Sequence, residues 1–136
     1  MEKFLFLNTG WMDFYDGLKN DEISGGGKFV SIEGYGHELF NFRNHGGIVL
    51  GFVQPLINRK TGGNSIIGIE RLGADIDDLK VYSITVVWLA SNPISKGTYV
   101  VGWYHNATVY RDIQFAPSKI NRQYKGERIG YYVKAK

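Results

Sequence analysis

The chain has 136 residues and 43% apolar content, enough for a single domain (1–136) with a real core and ordinary for a soluble globular protein. Having no Cys, it can build neither a disulfide framework nor a thiolate zinc site, and a thiol nucleophile is excluded. The net charge of +3 is unevenly spread: residues 1–68 carry six basic and seven acidic side chains, residues 69–136 ten basic and six acidic.

Three Trp, nine Tyr and eight Phe, together with 18 Gly, point to a mainly β (α+β) chain. The expected form is a small β-barrel with a few short flanking helices rather than a helical bundle. No apolar run approaches the ~20 residues of a membrane span, and the N-terminus lacks the regions of a signal peptide. The expectation is a cytoplasmic protein without membrane contact.

In chain order, Lys3 to Asn8 reads as a buried strand, closed by the turn chemistry of Asn8-Thr9-Gly10. Trp11, Met12, Phe14 and Tyr15 follow within five positions, ahead of the polar loop Asp16 to Ser24. Gly25-Gly26-Gly27 lacks the spacing of a phosphate loop. Lys28 to Glu33 and His37 to Phe42 alternate about Gly34-Tyr35-Gly36 and predict a hairpin. Ile48 to Gln54 is an apolar strand stopped by Pro55, Asn58 to Asn64 a loop, Ser65 to Glu70 a short strand, and Arg71 to Lys80 a helical turn with Asp75, Asp77 and Asp78 in solvent. Val81 to Ala90 is the longest strand pattern and the expected centre of the sheet. Tyr99 to Tyr104 and Ala107 to Arg111 predict a second hairpin with His105-Asn106 as its turn. Pro117 to Tyr124 suits one helical turn, and Ile129 to Val133 a last strand.

The three His fit no zinc spacing, and no nucleophile elbow is present, so the chain reads as a binder without metal, cofactor or catalytic residues. The positive signal is aromatic. Trp11, Trp88 and Trp103 fall at or near strand ends, where a barrel has its mouth, and ring faces there can hold an extruded base. Asn8 and Asn92 are the candidate edge readers, and Tyr15 and Tyr104 the further rings. The stretch Lys119 to Lys136 holds six basic residues against Glu127 alone. Arg111, Lys119, Arg122, Lys125 and Arg128 are accordingly the candidate phosphate contacts.

Gly25–Val30, Gly36–Phe42, Gly51–Pro55, Ile69–Gly73 and above all Val101–Arg111 together resemble the N-terminal segment ahead of HNH-type nuclease domains in bacterial modification-dependent restriction endonucleases. More distantly, the opening strand with Asn8 and Trp11 and the later Gly-Phe-Val strand is similar to the PUA superfamily, including its EVE and YTH branches. That resemblance implies a barrel holding a modified, methylated base of double-stranded DNA in an aromatic cage, with Trp11 as one wall, Asn8 as a polar reader, and Trp88 or Trp103 as the second wall. The nuclease domain itself has no counterpart in these residues. Two other readings stand beside it: an RNA-binding domain of the same type, and a metal-dependent hydrolase or nuclease built from His37, Glu38 and His45.

Overall fold

A computed structural model describes residues 1–25, 35–55 and 66–136. The chain is mainly β: β1 (Lys3–Asn8), β2 (Val49–Gly51), β3 (Lys80–Ser91), β4 (Thr98–Gln114), β5 (Gln123–Tyr124), β6 (Glu127–Arg128) and β7 (Tyr131–Ala135). Five of these form one sheet in the order β1-β3-β4-β7-β2, with β1 parallel to β3 and the other neighbours antiparallel, while β5 and β6 form a separate ribbon. Among the described residues the sheet is open, with β1 and β2 at its edges. The mainly β class expected from the sequence holds, while the small barrel expected with it is not closed among the described residues.

β3 and β4 are joined by a real hairpin, and it is not the one expected. Asn92 starts the turn: its Oδ1 accepts the N–H of Ile94 (2.9 Å) and of Ser95 (3.0 Å), and its own N–H donates to the Gly97 carbonyl (3.0 Å). Gly97 follows at φ 88°, a left-handed conformation that glycine takes without a Cβ penalty. Asn92 is thus a turn cap, not an edge reader.

At His105-Asn106 the chain does not turn. β4 runs straight through, and the pairing steps from Val86↔Tyr104 to Ile84↔Ala107, which leaves one extra residue on β4. Asn106 absorbs it at φ 50°. The next step, from Ile84↔Ala107 to Val81↔Val109, leaves an extra residue on β3, absorbed by Ser83 at φ 59°. These opposed β-bulges cancel in register while resetting the pleat, so that Tyr104, Ala107 and Val109 all point inward despite their odd spacing.

The inner face of the sheet holds the main core: Leu7, Ile84, Val86, Trp88, Tyr104, Ala107, Val109 and Val133, covered by Phe52, Ile69 and Leu72. A second cluster of Met12, Tyr15, Tyr35, Leu39, Phe40 and Ile129 lies beside it, with Phe42 and Val101 packing against both. Gly102 makes this junction possible, because a Cβ there would run into the Phe42 ring.

Other expectations are corrected in detail. His37 to Phe40 is a 3-10 turn rather than a strand, and its supposed partner Lys28 to Glu33 lies outside the described residues, as does the Asn58 to Asn64 loop. Ile69 to Leu72 is likewise a 3-10 turn, where a strand ending at Glu70 was expected; Ser65, at the start of that strand, is outside the described residues. β4, not β3, is the longest strand and occupies the middle of the sheet. β1 spans the expected residues but is an edge strand, with Leu7 inward and Phe4 (50%) and Phe6 (61%) exposed.

The 3-10 turn 37–40 is held by one residue. Asn41, fully buried, donates from Nδ2 to the Phe52 carbonyl (3.1 Å) and accepts the Phe52 N–H at Oδ1 (2.8 Å), so its side chain pairs with β2's continuation as a strand would. The Tyr104 hydroxyl donates to the Asn41 carbonyl. Substituting Asn41→Ala strands two buried backbone groups, each worth about 1–3 kcal/mol. Urea unfolding should show a loss of about 2–4 kcal/mol, against less than about 1 kcal/mol for the exposed Asn44→Ala.

Candidate functional site

Among the described residues a recess of about 350 Å³ opens where β1 ends, β3 ends and the 37–40 turn crosses them. Asn8 and Thr9 line it from the end of β1, Leu89, Ala90 and Ser91 from β3, Glu38 from the 3-10 turn, Val53 and Gln54 from the segment after β2, and Ser24 and Gly25 from the loop. Two amides, three hydroxyls and one carboxyl thus face a single space of ligand-pocket size.

Two of these polar groups are unusual. The Thr9 Oγ1 is buried and has no hydrogen-bond partner among the described residues. Glu38 is only 7% exposed. Burial raises its carboxyl above the ordinary 4.5, opposed by backbone N–H donors of Glu38 itself and Gly10. Burial thus works against the charged form, and the carboxyl oxygens accept hydrogen bonds in either state.

The loop that feeds the recess is tied by Asp21, which is buried. Its Oδ1 accepts the Asp13 N–H (2.9 Å), and its Oδ2 those of Phe14 (2.8 Å) and Tyr15 (3.3 Å). Tyr15 is thereby held at φ 55°, and its hydroxyl donates to the Gly10 carbonyl (2.6 Å). Burial pushes the Tyr15 phenol up to about 12. Its ring is 3% exposed and packs edge-on against Phe42, so Tyr15 supports the loop from inside and offers no face to a ligand.

Trp11 is half-buried and bridges by backbone to Ser24, a recess residue. Its indole meets Tyr99 edge-on at 6.1 Å, and Tyr99 pairs with Ala90, another recess residue. This ring pair therefore stands at the rim, while the recess lining itself is polar and aliphatic. An enclosing aromatic cage is not what these residues build.

The other ring candidates separate. Trp88 is 0% exposed and packs against Tyr104 at 5.4 Å, so it is core filler. Tyr104 is 3% exposed, with its phenol raised by burial and engaged with Asn41. Trp103 is 66% exposed but pairs with Val87 on the outer face, away from the recess.

The cations separate too. Arg122 is 2% exposed: its guanidinium donates to the carbonyls of Ile129 (3.1 Å), Gly130 (3.2 Å) and Phe40 (3.4 Å), and burial lowers it to about 10. Arg111 is committed to Glu70 and to the carbonyls of Asp78 (2.8 Å) and Asp75 (3.1 Å). Neither can meet a phosphate without breaking these bonds. Lys119, Lys125 and Arg128 are exposed, although one Arg128 nitrogen donates to the Ala116 carbonyl (2.7 Å). The β5–β6 ribbon that carries Lys125 and Arg128 touches the far end of the recess turn, through His37 and Glu127 (3.2 Å).

His37, Glu38 and His45 do not assemble: Glu38 faces the recess, His37 faces Glu127, and His45 is lowered by burial beside Arg122 and Arg43. Among the described residues no three His, Asp or Glu gather as metal ligands, and no helix is long and apolar enough to cross a membrane. Sequence reasoning missed Glu38 as a recess residue, along with Thr9, Gln54 and Ser91. No family model, no curated protein and no solved structure matches this chain.

The raised Glu38 carboxyl sets a sign. Its native state holds the proton to higher pH than the unfolded chain, so the stability it contributes is complete below the unfolded value and is lost as pH rises through the native one. Glu38→Gln, which keeps the neutral shape, should flatten that decline and exceed the parent in stability at alkaline pH. Urea midpoints taken across a pH series check this; a parallel decline in both proteins would contradict it.

Proposed function

We propose that this chain is a non-catalytic recognition module that takes one extruded, modified base of double-stranded DNA into the Asn8–Glu38 recess. In the assembly implied by its motif resemblance, such a module directs an HNH-type nuclease to the modified site. The observation that carries the reading is the recess itself, sized for one planar heterocycle and lined by groups that both donate and accept.

The chemistry follows from the lining. The amides of Asn8 and Gln54 each present one acceptor and two donors, and the Glu38 carboxyl adds acceptor oxygens beside them. A base edge carries the complementary pattern, and a site whose buried polar groups need that edge rejects ligands without it. Val53, Leu89 and Ala90 supply apolar surface for a methyl substituent. Trp11 and Tyr99 at the rim offer ring faces to the base as it leaves the stack, a contact worth about 1–3 kcal/mol. Lys119, Lys125 and Arg128 are the exposed cations that remain for backbone phosphates.

Anisotropy titrations with short duplexes, identical except for a panel of base modifications, test the reading. At least one modified duplex should bind about tenfold tighter than the plain one. Asn8→Ala and Trp11→Ala should each erase most of that preference while leaving plain-duplex binding nearly unchanged. Equal affinity for every duplex would falsify it, and tighter binding to single-stranded RNA that Asn8→Ala and Trp11→Ala abolish would select the RNA reading.

A further inference from the structure

A second cavity of about 720 Å³ lies on the outer face of the sheet, at the opposite end of β3 from the recess. About eight residues of strand separate the two, or on the order of 25 Å. Lys80, Tyr82 and Ser83 line it from β3, His105, Asn106, Thr108 and Tyr110 from β4, and Lys134 and Lys136 from the β7 end. Three ammonium groups meet here without a side-chain carboxylate in the lining, and none of them belongs to an ion pair among the described residues.

The bulges shape this groove. Ser83 and Asn106, both in left-handed conformations, form its floor where β3 and β4 each carry an extra residue. Pairing then fixes what stands around them: Lys80 lies opposite Tyr110, and Thr108 opposite Lys134, all on the outward side because Val81, Val109 and Val133 turn inward or toward the core. Lys80 Nζ sits 5.4 Å from the Tyr82 ring centre and 5.8 Å from that of Tyr110. Along β4 the outward positions continue from His105 to Trp103, 66% exposed, so an open indole stands about 7 Å beyond the groove.

We propose that this face binds a single nucleic-acid strand, with Lys80, Lys134 and Lys136 on successive phosphates and with Tyr82 and Trp103 as stacking platforms for its bases. The combination of cations outside any ion pair among the described residues with exposed rings along one track is what strand binding without sequence preference requires, and the Lys80 ammonium, hydrogen-bonded to Tyr82, ties the two together. A cation cluster alone would serve any polyphosphate; the two rings, Tyr82 at 60% exposure and Trp103, select a strand with bases. The site is independent of the recess and of the modified-base reading, since no residue lines both.

The test uses a labelled single-stranded oligodeoxynucleotide of about twelve nucleotides, within the site sizes such surfaces cover. Tripolyphosphate serves as competitor. Lys80→Gln/Lys134→Gln should weaken the oligonucleotide about tenfold at low salt and reduce the slope of log affinity against log salt by about 1.4, two phosphates at about 0.7 each. Tyr82→Ala and Trp103→Ala should each weaken the oligonucleotide about tenfold and leave tripolyphosphate binding as it was. Thermal melts of each variant confirm that these surface changes leave the fold intact. Lysine variants that bind the oligonucleotide as the parent does would overturn the site. Ring variants without effect would overturn the strand assignment in favour of a general polyanion surface. Discrimination between modified and plain duplexes should survive all four substitutions, so loss of one site is distinguishable from loss of the other.

Discussion

The Asn41 side chain, pairing with the backbone of Phe52, is the constraint on which the recess depends. A 3-10 turn of four residues cannot hold itself in place, because it has few internal hydrogen bonds and no long amphipathic face. Its position comes instead from the residue that follows it. By spending both ends of its amide on the N–H and C=O of one buried residue, Phe52, Asn41 fastens the turn to the end of β2, and through its carbonyl to Tyr104 on β4. Arg122 closes the other side, bonding Phe40, Ile129 and Gly130 at once, while Arg43 stacks on the same Phe40 ring at 4.0 Å. With the turn fixed from both directions, Glu38 has nowhere to go but into the space beside Asn8 and Thr9. Its burial, and hence its raised carboxyl, is a consequence of that fastening.

A second constraint acts within the sheet. Period-two alternation assigns Tyr99, Val101 and Trp103 to one side and Gly102 and Tyr104 to the other, and from 102 to 104 this holds: Gly102 and Tyr104 face the core, Trp103 faces out. Beyond that point alternation fails, because one extra residue at 105–106 reverses it. Asn at positive φ is what a tight hairpin turn needs and equally what a bulge needs. The two differ only in whether the chain beyond goes back or goes on, and that is decided by the partner strand. β3 continues past the bulge as a single strand from Lys80 to Ser91, so β4 continues beside it. A local reading of residues 97–111 has no access to that fact.

The same distinction separates what was legible in the site from what was not. Asn8 and Trp11 were readable because their signals are local: a strand run ends, turn residues follow, and a large ring comes next. Glu38 was not, because an alternating stretch concealed a 3-10 turn. Trp88 and Tyr104 carry the ring chemistry of a binding site, yet the inward side of a central sheet claims them as packing. Asn92 looked like a reader and is a turn cap, the role Asn fills whenever its side chain finds two free N–H groups ahead of it. Composition specifies which groups are available; burial decides which of them are spent on the fold.

Charge shows this most clearly. As sequence, Lys119 to Lys136 is one basic stripe, but the fold divides it three ways. Arg122 turns inward, where three carbonyl oxygens replace its hydration. Lys119, Lys125 and Arg128 stay on the surface near the β5–β6 ribbon. Lys134 and Lys136 are carried by β7 to the outer face of β4, and there they meet Lys80, more than fifty positions earlier in the chain. No run of residues announces that meeting. It arises because β7 lies beside β4 and β3 lies on β4's other side, which places their outward lysines around the same pair of bulges. The electrostatic footprint of this protein is therefore a property of strand order, and the same composition with β7 on another edge would leave Lys80 alone.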